Sequence, residues 1–203
     1  MGIITEISVQ KNDKSRVNVY VDGEYAFALE KLTAAEHGLK AGVEIDEKAV
    51  EALTQDSECE RAFCRAVKYI ARRMRTEAEV SNYLAAKNFS ASVIERTESK
   101  LKEYGYIGDE EFVDGYISVY GDRRGKKRIK SDLMRMGADE KAVERALGAL
   151  GDQRDAAFAA AEKYLRTHEY DRRRLSAHLA SKGFEWDDIA AAVRACGKGG
   201  EEQ

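Results

Sequence analysis

Thr76-Glu77-Ala78-Glu79-Val80-Ser81-Asn82-Tyr83-Leu84-Ala85-Ala86-Lys87-Asn88-Phe89-Ser90 decides the fold. A capping residue opens it. An aliphatic pair four apart follows, then a residue type that accepts left-handed backbone, then a second capping residue. That order predicts a short helix, a tight turn and the start of another helix. Thr76 with Glu79 forms the pattern of a capping box. The order returns twice. Thr76, Gly125 and Asp171 each stand eight residues before an anchor leucine, which is Leu84, Leu133 or Leu179. Val80, Ile129 and Leu175 stand four before it; Asn88, Gly137 and Gly183 stand four after. Ile94, Val143 and Ile189 stand ten after, and the anchors are 49 and 46 residues apart with no gap inside the window.

Upstream, each copy carries Phe63, Phe112 or Phe158, then Ala66, Gly115 or Ala161, then Ile70, Val119 or Leu165, the spacing of one helical face. These are expected to be packing residues. Downstream, Ser90 and Asp139 cap a third helix, with Glu185 a poorer cap in the last copy. Each copy therefore reads as three helices, and copies that cannot bury their apolar faces alone stack on neighbours. The expected fold is mainly α: three tandem three-helix repeats in an elongated array, preceded by a small antiparallel β-hairpin region. The boundaries fall at 1–56 for the extension, 57–107, 108–150 and 151–197 for the repeats, and 198–203 for a disordered tail.

The extension reads as strands first. Ile3, Ile4, Ile7 and Val9 lie in one extended run, and Val17, Val19 and Val21 alternate with polar residues. Asp22-Gly23 supplies the positive-φ pair of a tight hairpin, from which Tyr25 to Leu29 returns. Thr33 and Gly38 are expected to bracket a short helix, and Glu47 to Leu53 to form another.

The 203 residues include 35% charged and 43% hydrophobic, enough for a core and a wet surface in one or two domains. No run approaches the length of a membrane span, and Met1 to Glu6 lacks the basic start of a signal peptide. Cys59, Cys64 and Cys196 are odd in number and without CxxC spacing, which argues for a reduced, cytoplasmic setting. No proline is present to break a helix. A net charge of −3 excludes a simple polycationic nucleic-acid binder. The charge is uneven, because residues 1–56 hold 6 basic and 11 acidic side chains.

Catalytic motifs are missing. There is no HExxH, no zinc-spaced Cys/His set and no GxSxG. Gly121 to Lys127 resembles a phosphate loop but has the wrong glycine spacing, and Lys127 stands where a magnesium-holding hydroxyl belongs. No enzyme activity, cofactor or metal is expected. The basic clusters are the stronger signal: Arg72, Arg73 and Arg75; then Arg123, Arg124, Lys126, Lys127, Arg128 and Lys130; then Arg172, Arg173 and Arg174. All three sit at the junction between first and second helices. They are expected to form a broken basic stripe, helped by free N–H groups at the helix N-termini. A phosphate backbone or an acidic protein groove complements such a stripe. Tyr69, Tyr120 and Tyr170 lie nearby as stacking platforms or anchors. A solvated face laced with ion pairs is the plain alternative; the middle cluster has only Asp122 and Asp132 close by in sequence.

The three-helix repeats resemble the RecX family of bacterial recombination regulators. The stretch Leu101-Lys102-Glu103-Tyr104-Gly105-Tyr106-Ile107-Gly108-Asp109-Glu110-Glu111-Phe112 is similar to the family's most specific segment, with Gly108 in place of its first aspartate. Asp109 is expected to serve as the cap instead. Arg75-Thr76, Lys182-Gly183-Phe184 and the looser turns at Asn88 and Met136-Gly137-Ala138 also fit the pattern, and Val19 to Phe27 is similar to the N-terminal extension of some members. The resemblance implies a non-enzymatic modulator in recombination, DNA repair and the SOS response; with no heptad seam in the sequence, a monomer is expected. It implies binding to the RecA recombinase and its nucleoprotein filament, limits on ATP hydrolysis and strand exchange, and accessory binding of single- or double-stranded DNA. About six neutralised phosphates give a log-log salt slope near −5. A stand-alone DNA-binding helical module and a helical scaffold for another protein are the competing readings.

Overall fold

The computed structural model describes residues 1–198, so positions 199–203 of the expected disordered tail lie outside the described residues. The chain falls into two compact units: Met1–Met74 with Val80–Tyr106, and Arg75–Glu79 with the chain from Ile107 onward.

The first unit opens on strands β1 (Gly2–Val9), β2 (Arg16–Val21), β3 (Glu24–Glu30) and the two-residue β4 (Glu44–Ile45). They form one antiparallel sheet in the order β3-β2-β1-β4. Asp22 and Gly23 adopt φ of 50° and 85°, as the hairpin turn requires. The fourth strand is too short to show a sequence period. Alternation puts Val17, Val19, Phe27 and Leu29 on the buried face with Ile4 and Ile45. Helix α1 (Lys31–Glu36) starts directly off β3 with Glu30 as N-cap, so Thr33 does not bracket it but is buried inside it.

The expected short helix from Glu47 is instead the first half of one helix, α2 (Glu47–Ile70), capped by the Asp46 carboxylate on the Ala49 N–H. No glycine or proline interrupts those 24 residues, and each half has something to bury against. Leu53 packs into the sheet core, while Ala62 and Ala66 are buried in the half that runs alongside α4. Helices α3 (Glu77–Ala85) and α4 (Ala91–Glu103) complete the first triad.

The second unit holds two more triads. Helices α5 (Asp109–Tyr120), α6 (Lys126–Arg135) and α7 (Glu140–Ala149) enclose Phe112, Val113, Ile129, Leu133, Val143 and Leu147. Helices α8 (Arg154–Leu165), α9 (Arg172–Ser181) and α10 (Trp186–Lys198) enclose Ala157, Ala161, Leu175, Leu179, Phe184 and Ile189.

The middle helix of every triad follows the repeat. Val80, Leu84, Ile129, Leu133, Leu175 and Leu179 are all fully buried. Each such side chain contributes roughly 1.5–3 kcal/mol by burial. Asn88, Gly137 and Gly183 close these helices at φ of 63°, 77° and 87°. The first helices keep part of the expected face, with Ala66, Phe112 and Ala161 buried, and depart from it at two positions. Phe158 is 38% and Val119 56% exposed, because the buried stripes run through Ala157–Ala161 and through Phe112–Val113. A residue next to a buried helical position is rotated about 100° away from it.

Two junctions repeat in the second unit. The Thr76 hydroxyl donates to the Met136 carbonyl at 2.7 Å, and the Gly125 N–H donates to the Lys182 carbonyl at 2.9 Å. Met136 and Lys182 both lie three residues past an anchor leucine. At the second junction the backbones touch: a Cβ at Gly125 would collide with Gly183 and with the Phe184 nitrogen. Two polar side chains tie the unit further. Buried Asp109 accepts the Glu77 N–H at 2.9 Å and the Asp139 N–H at 2.7 Å. It therefore joins the starts of α3 and α7 and is not the substitute cap for α5; the N-cap there is Gly108, with no side-chain bond.

Candidate nucleic-acid interface

The loop Gly121–Gly125 joins α5 to α6 and carries the middle cluster. It is held from the α7–α8 linker by buried Gln153. The Gln153 amide nitrogen donates to the Gly121 and Arg124 carbonyls at 3.0 and 3.3 Å, and its oxygen accepts the Lys126 N–H at 2.8 Å. All polar groups of the amide are thereby used on one loop.

Arg124 is fixed from three sides. Its guanidinium lies 4.2 Å from the Tyr120 ring centroid, donates to the Tyr116 hydroxyl at 2.7 Å, and meets Asp132 Oδ2 at 2.7 Å. Asp132 is 2% exposed and also binds Arg128 at 3.1 Å and Arg135 at 2.7 Å. Burial by itself raises the Asp132 carboxyl, but the bonds from Arg128 and Tyr116 and the charges of Arg128 and Arg124 outweigh it. The group is held below the ordinary aspartate value.

Two of the arginines that Asp132 holds, Arg124 and Arg128, line a cleft of about 460 Å³ together with Tyr120, Arg123, Ser181 and Lys182. Three cations from the α5–α6 segment meet a fourth from the end of α9. The approach depends on the glycine contact, since Gly125 and Gly183 let the two helix ends touch. Arg123 and Lys182 have no ion pair among the described residues. The cleft offers charged donors and the Tyr120 hydroxyl, a donor set that suits a phosphate, while the Ser181 hydroxyl is spent on the His178 carbonyl at 2.7 Å.

The other predicted cations distribute differently. Lys127 pairs with Glu185 at 2.7 Å and Lys130 with Glu144 at 3.2 Å, carboxylates brought in from α7 and from the start of α10. Lys126 is half-buried with no ion pair among the described residues. Arg172 and Arg173 are exposed, and Arg174 sits 3.9 Å from Asp171; none of the three lines the cleft. Arg75 is half-buried against Glu79 at 3.5 Å, and Arg73 donates to the Met74 carbonyl. Arg72 lines a separate cavity in the first unit. Of the tyrosines, Tyr120 lines the cleft, Tyr69 stacks on Tyr83 at 4.1 Å, and Tyr170 donates to the Val193 carbonyl.

At the starts of these helices several N–H groups are spent within the protein. Gly125, Lys126 and Lys127 donate to Lys182, Gln153 and Gly183, while Glu77 donates to Asp109 and Glu79 to Thr76. Arg174 donates to Asp171. Lys182 and Ser181 were not among the expected contacts. The signal for them was the repeated junction, which brings the end of one middle helix to the start of the preceding one. Among the described residues, no three His, Cys, Asp or Glu side chains are placed to hold a metal ion, and no helix is long and apolar enough to cross a membrane.

Residues 2–46 match the family profile described as the regulatory protein RecX N-terminal domain, and residues 62–101 match that of the first three-helix domain of RecX. A regulatory protein RecX of Bacillus pumilus is 33% identical, over all of this chain and 81% of that protein. One of Clostridium tetani is 33% identical over 94% of this chain and 92% of its own length. A crystal structure of regulatory protein RecX superposes with a TM-score of 0.73 at 26% identity, covering 95% of this chain and 98% of that one.

Proposed function

The chain belongs to the RecX family of regulatory proteins, and on that premise we propose that it is a non-enzymatic, cytoplasmic, negative modulator of the RecA recombinase. It binds RecA or its nucleoprotein filament and limits ATP hydrolysis and strand exchange. DNA phosphates are held as an accessory contact in the cleft of the second unit. The three-helix copies at 57–107, 108–150 and 151–197 are the modules that engage the filament.

The convergence of Arg123, Arg124, Arg128 and Lys182 is the observation that supports the DNA contact. Arg124 is already ordered by Asp132, Tyr116 and Tyr120, so little side-chain freedom is lost when a phosphate arrives. Contacts of this kind hold the backbone and carry no base code. That suits a regulator that must act wherever a filament forms.

The test is a titration into RecA's DNA-dependent ATPase and strand-exchange reactions. Inhibition is expected at equal or lower amounts than RecA and is expected to persist as DNA is raised. Loss of inhibition in excess DNA marks a stand-alone DNA binder instead. In direct DNA binding, Arg123→Glu with Lys182→Glu is expected to weaken affinity at least about tenfold at low salt. Unchanged affinity removes the cleft from the interface.

A further inference from the structure

The first unit contains a larger cavity, about 1000 Å³, that the DNA contact does not use. One wall is a face of α2. Arg61, Arg65 and Lys68 follow one another at helical spacing along it, and Arg72 continues the line just past the helix end. Arg65, Lys68 and Arg72 are exposed and have no ion pair among the described residues. The opposite wall is built from the β1–β2 turn, the end of β3 and α1. It carries Asp13, Glu30 and Lys31, and α1 itself supplies an aliphatic floor of Leu32 and Ala35, while Glu60 adds one acid on the α2 side. Leu32 is 54% exposed. Tyr69 and Tyr83 close one end, stacked on each other at 4.1 Å and nearly parallel.

This combination discriminates between occupants. A nucleic-acid strand is negative along its whole length, so Asp13 and Glu30 oppose it. The tyrosines spend their facing surfaces on each other, which leaves less of the platform that bases need. An exposed leucine adds nothing to phosphate binding. A peptide with carboxylates on one side and an apolar side chain on the other matches each feature. Its acids meet Arg65, Lys68 and Arg72, its apolar anchor meets Leu32 and Ala35, and its remaining backbone faces Asp13 with N–H donors.

We propose that this groove is a docking site for an acidic, amphipathic segment of a protein partner. The site goes beyond the phosphate contact and does not depend on it, since it belongs to the other unit of the chain. Charge steers the segment in, and the aliphatic floor holds it, so neither a purely acidic nor a purely apolar chain binds well.

The experiment uses the full-length protein and three fluorescent probes in anisotropy titrations: a synthetic peptide of alternating Glu and Leu blocks with helical spacing, a polyglutamate of equal charge, and oligo-dT. The Glu/Leu peptide is expected to bind more tightly than polyglutamate. Arg65→Glu with Arg72→Glu is expected to weaken the peptide at least about tenfold, and Leu32→Asp to weaken it comparably. All three positions are exposed, and an unchanged circular dichroism melt confirms folding. Oligo-dT affinity is expected to be little affected by these substitutions. Equal binding of polyglutamate, or indifference to Leu32→Asp, overturns the proposal in favour of bare charge attraction. Loss of oligo-dT binding in the α2 variant, with no peptide binding, overturns it in favour of a nucleic-acid groove. Either result leaves the Arg123 and Lys182 test to stand on its own.

Discussion

Asp132 and Gln153 are single side chains on which the cleft depends, and both invite isosteric tests. Asp132 holds three guanidinium groups, and its pKa in the folded protein lies below its value in the unfolded chain. A depressed carboxyl contributes stability that is present above the unfolded pKa, about 3.9, and is lost as pH falls through the lower folded value. Asp132→Asn is therefore expected to cost about 1–3 kcal/mol near neutral pH, the range discounted because the arginines are partly exposed. The gap between wild type and variant is expected to stay constant from pH 7 to 5 and to close only below about pH 4. Closure already at pH 5–6 in urea melts contradicts this. Gln153→Glu keeps size and shape but turns an oxygen toward the Gly121 and Arg124 carbonyls, where the amide nitrogen donated. A loss of about 2 kcal/mol is expected in the same melts. Wild-type stability at neutral pH refutes the clasp. In the sequence Asp132 stands out only as one of two acids near the middle cluster, and the role of Gln153 is not legible at all. Gln153 looks like an ordinary linker residue, and Asp109, expected to cap its own helix, reaches two other helix starts because the fold brings them to it.

At the scale of the element, what the sequence showed depended on how bulky the buried residues are. The middle helices could be read because their buried positions are Val, Ile and Leu, bounded by caps and by left-handed turn residues. The first helices could be read only in part: Ala66, Phe112 and Ala161 of the expected face are buried, but Ala62 and Ala157, with no bulk to mark them, complete the buried stripe in two of the three. Phe158, the bulkiest residue of α8, lies one position outside that stripe. The basic α2 face was missed for a related reason. Its cations are spaced along a helix face, whereas the expected clusters were sought as contiguous runs. Element packing also predicts opposite outcomes for one chemical change. Gly125→Ala puts a methyl into the Gly183 backbone and is expected to cost about 3 kcal/mol or more, because no side chain is there to move aside. Gly148→Ala, inside α7 with open space around its Cβ position, is expected to stabilise by about 0.5–1 kcal/mol. Thermal melts of the two variants check the pair, and equal signs refute the close approach of α6 to the α9 turn.

At the scale of the whole molecule, a net charge of −3 cannot draw DNA in by itself, so the attraction must be local and its salt dependence must count local cations. Counting cluster residues alone suggested a log-log slope near −5. The structure lowers that number. Lys127 and Lys130 are committed to Glu185 and Glu144, and Arg124 and Arg128 share Asp132. Near the cleft, Arg123, Lys126 and Lys182 remain without an ion pair among the described residues. Three such contacts give a slope of about −3 for duplex DNA between 50 and 200 mM salt. Replacing Arg123 and Lys182 with alanine is expected to make the slope shallower by about 2. Replacing Arg172 and Arg173, which do not line the cleft, is expected to leave it unchanged. A wild-type slope near −5 that falls by about 2 on losing Arg172 and Arg173 instead makes the third cluster part of the same phosphate track. The cleft is then only one segment of a longer contact.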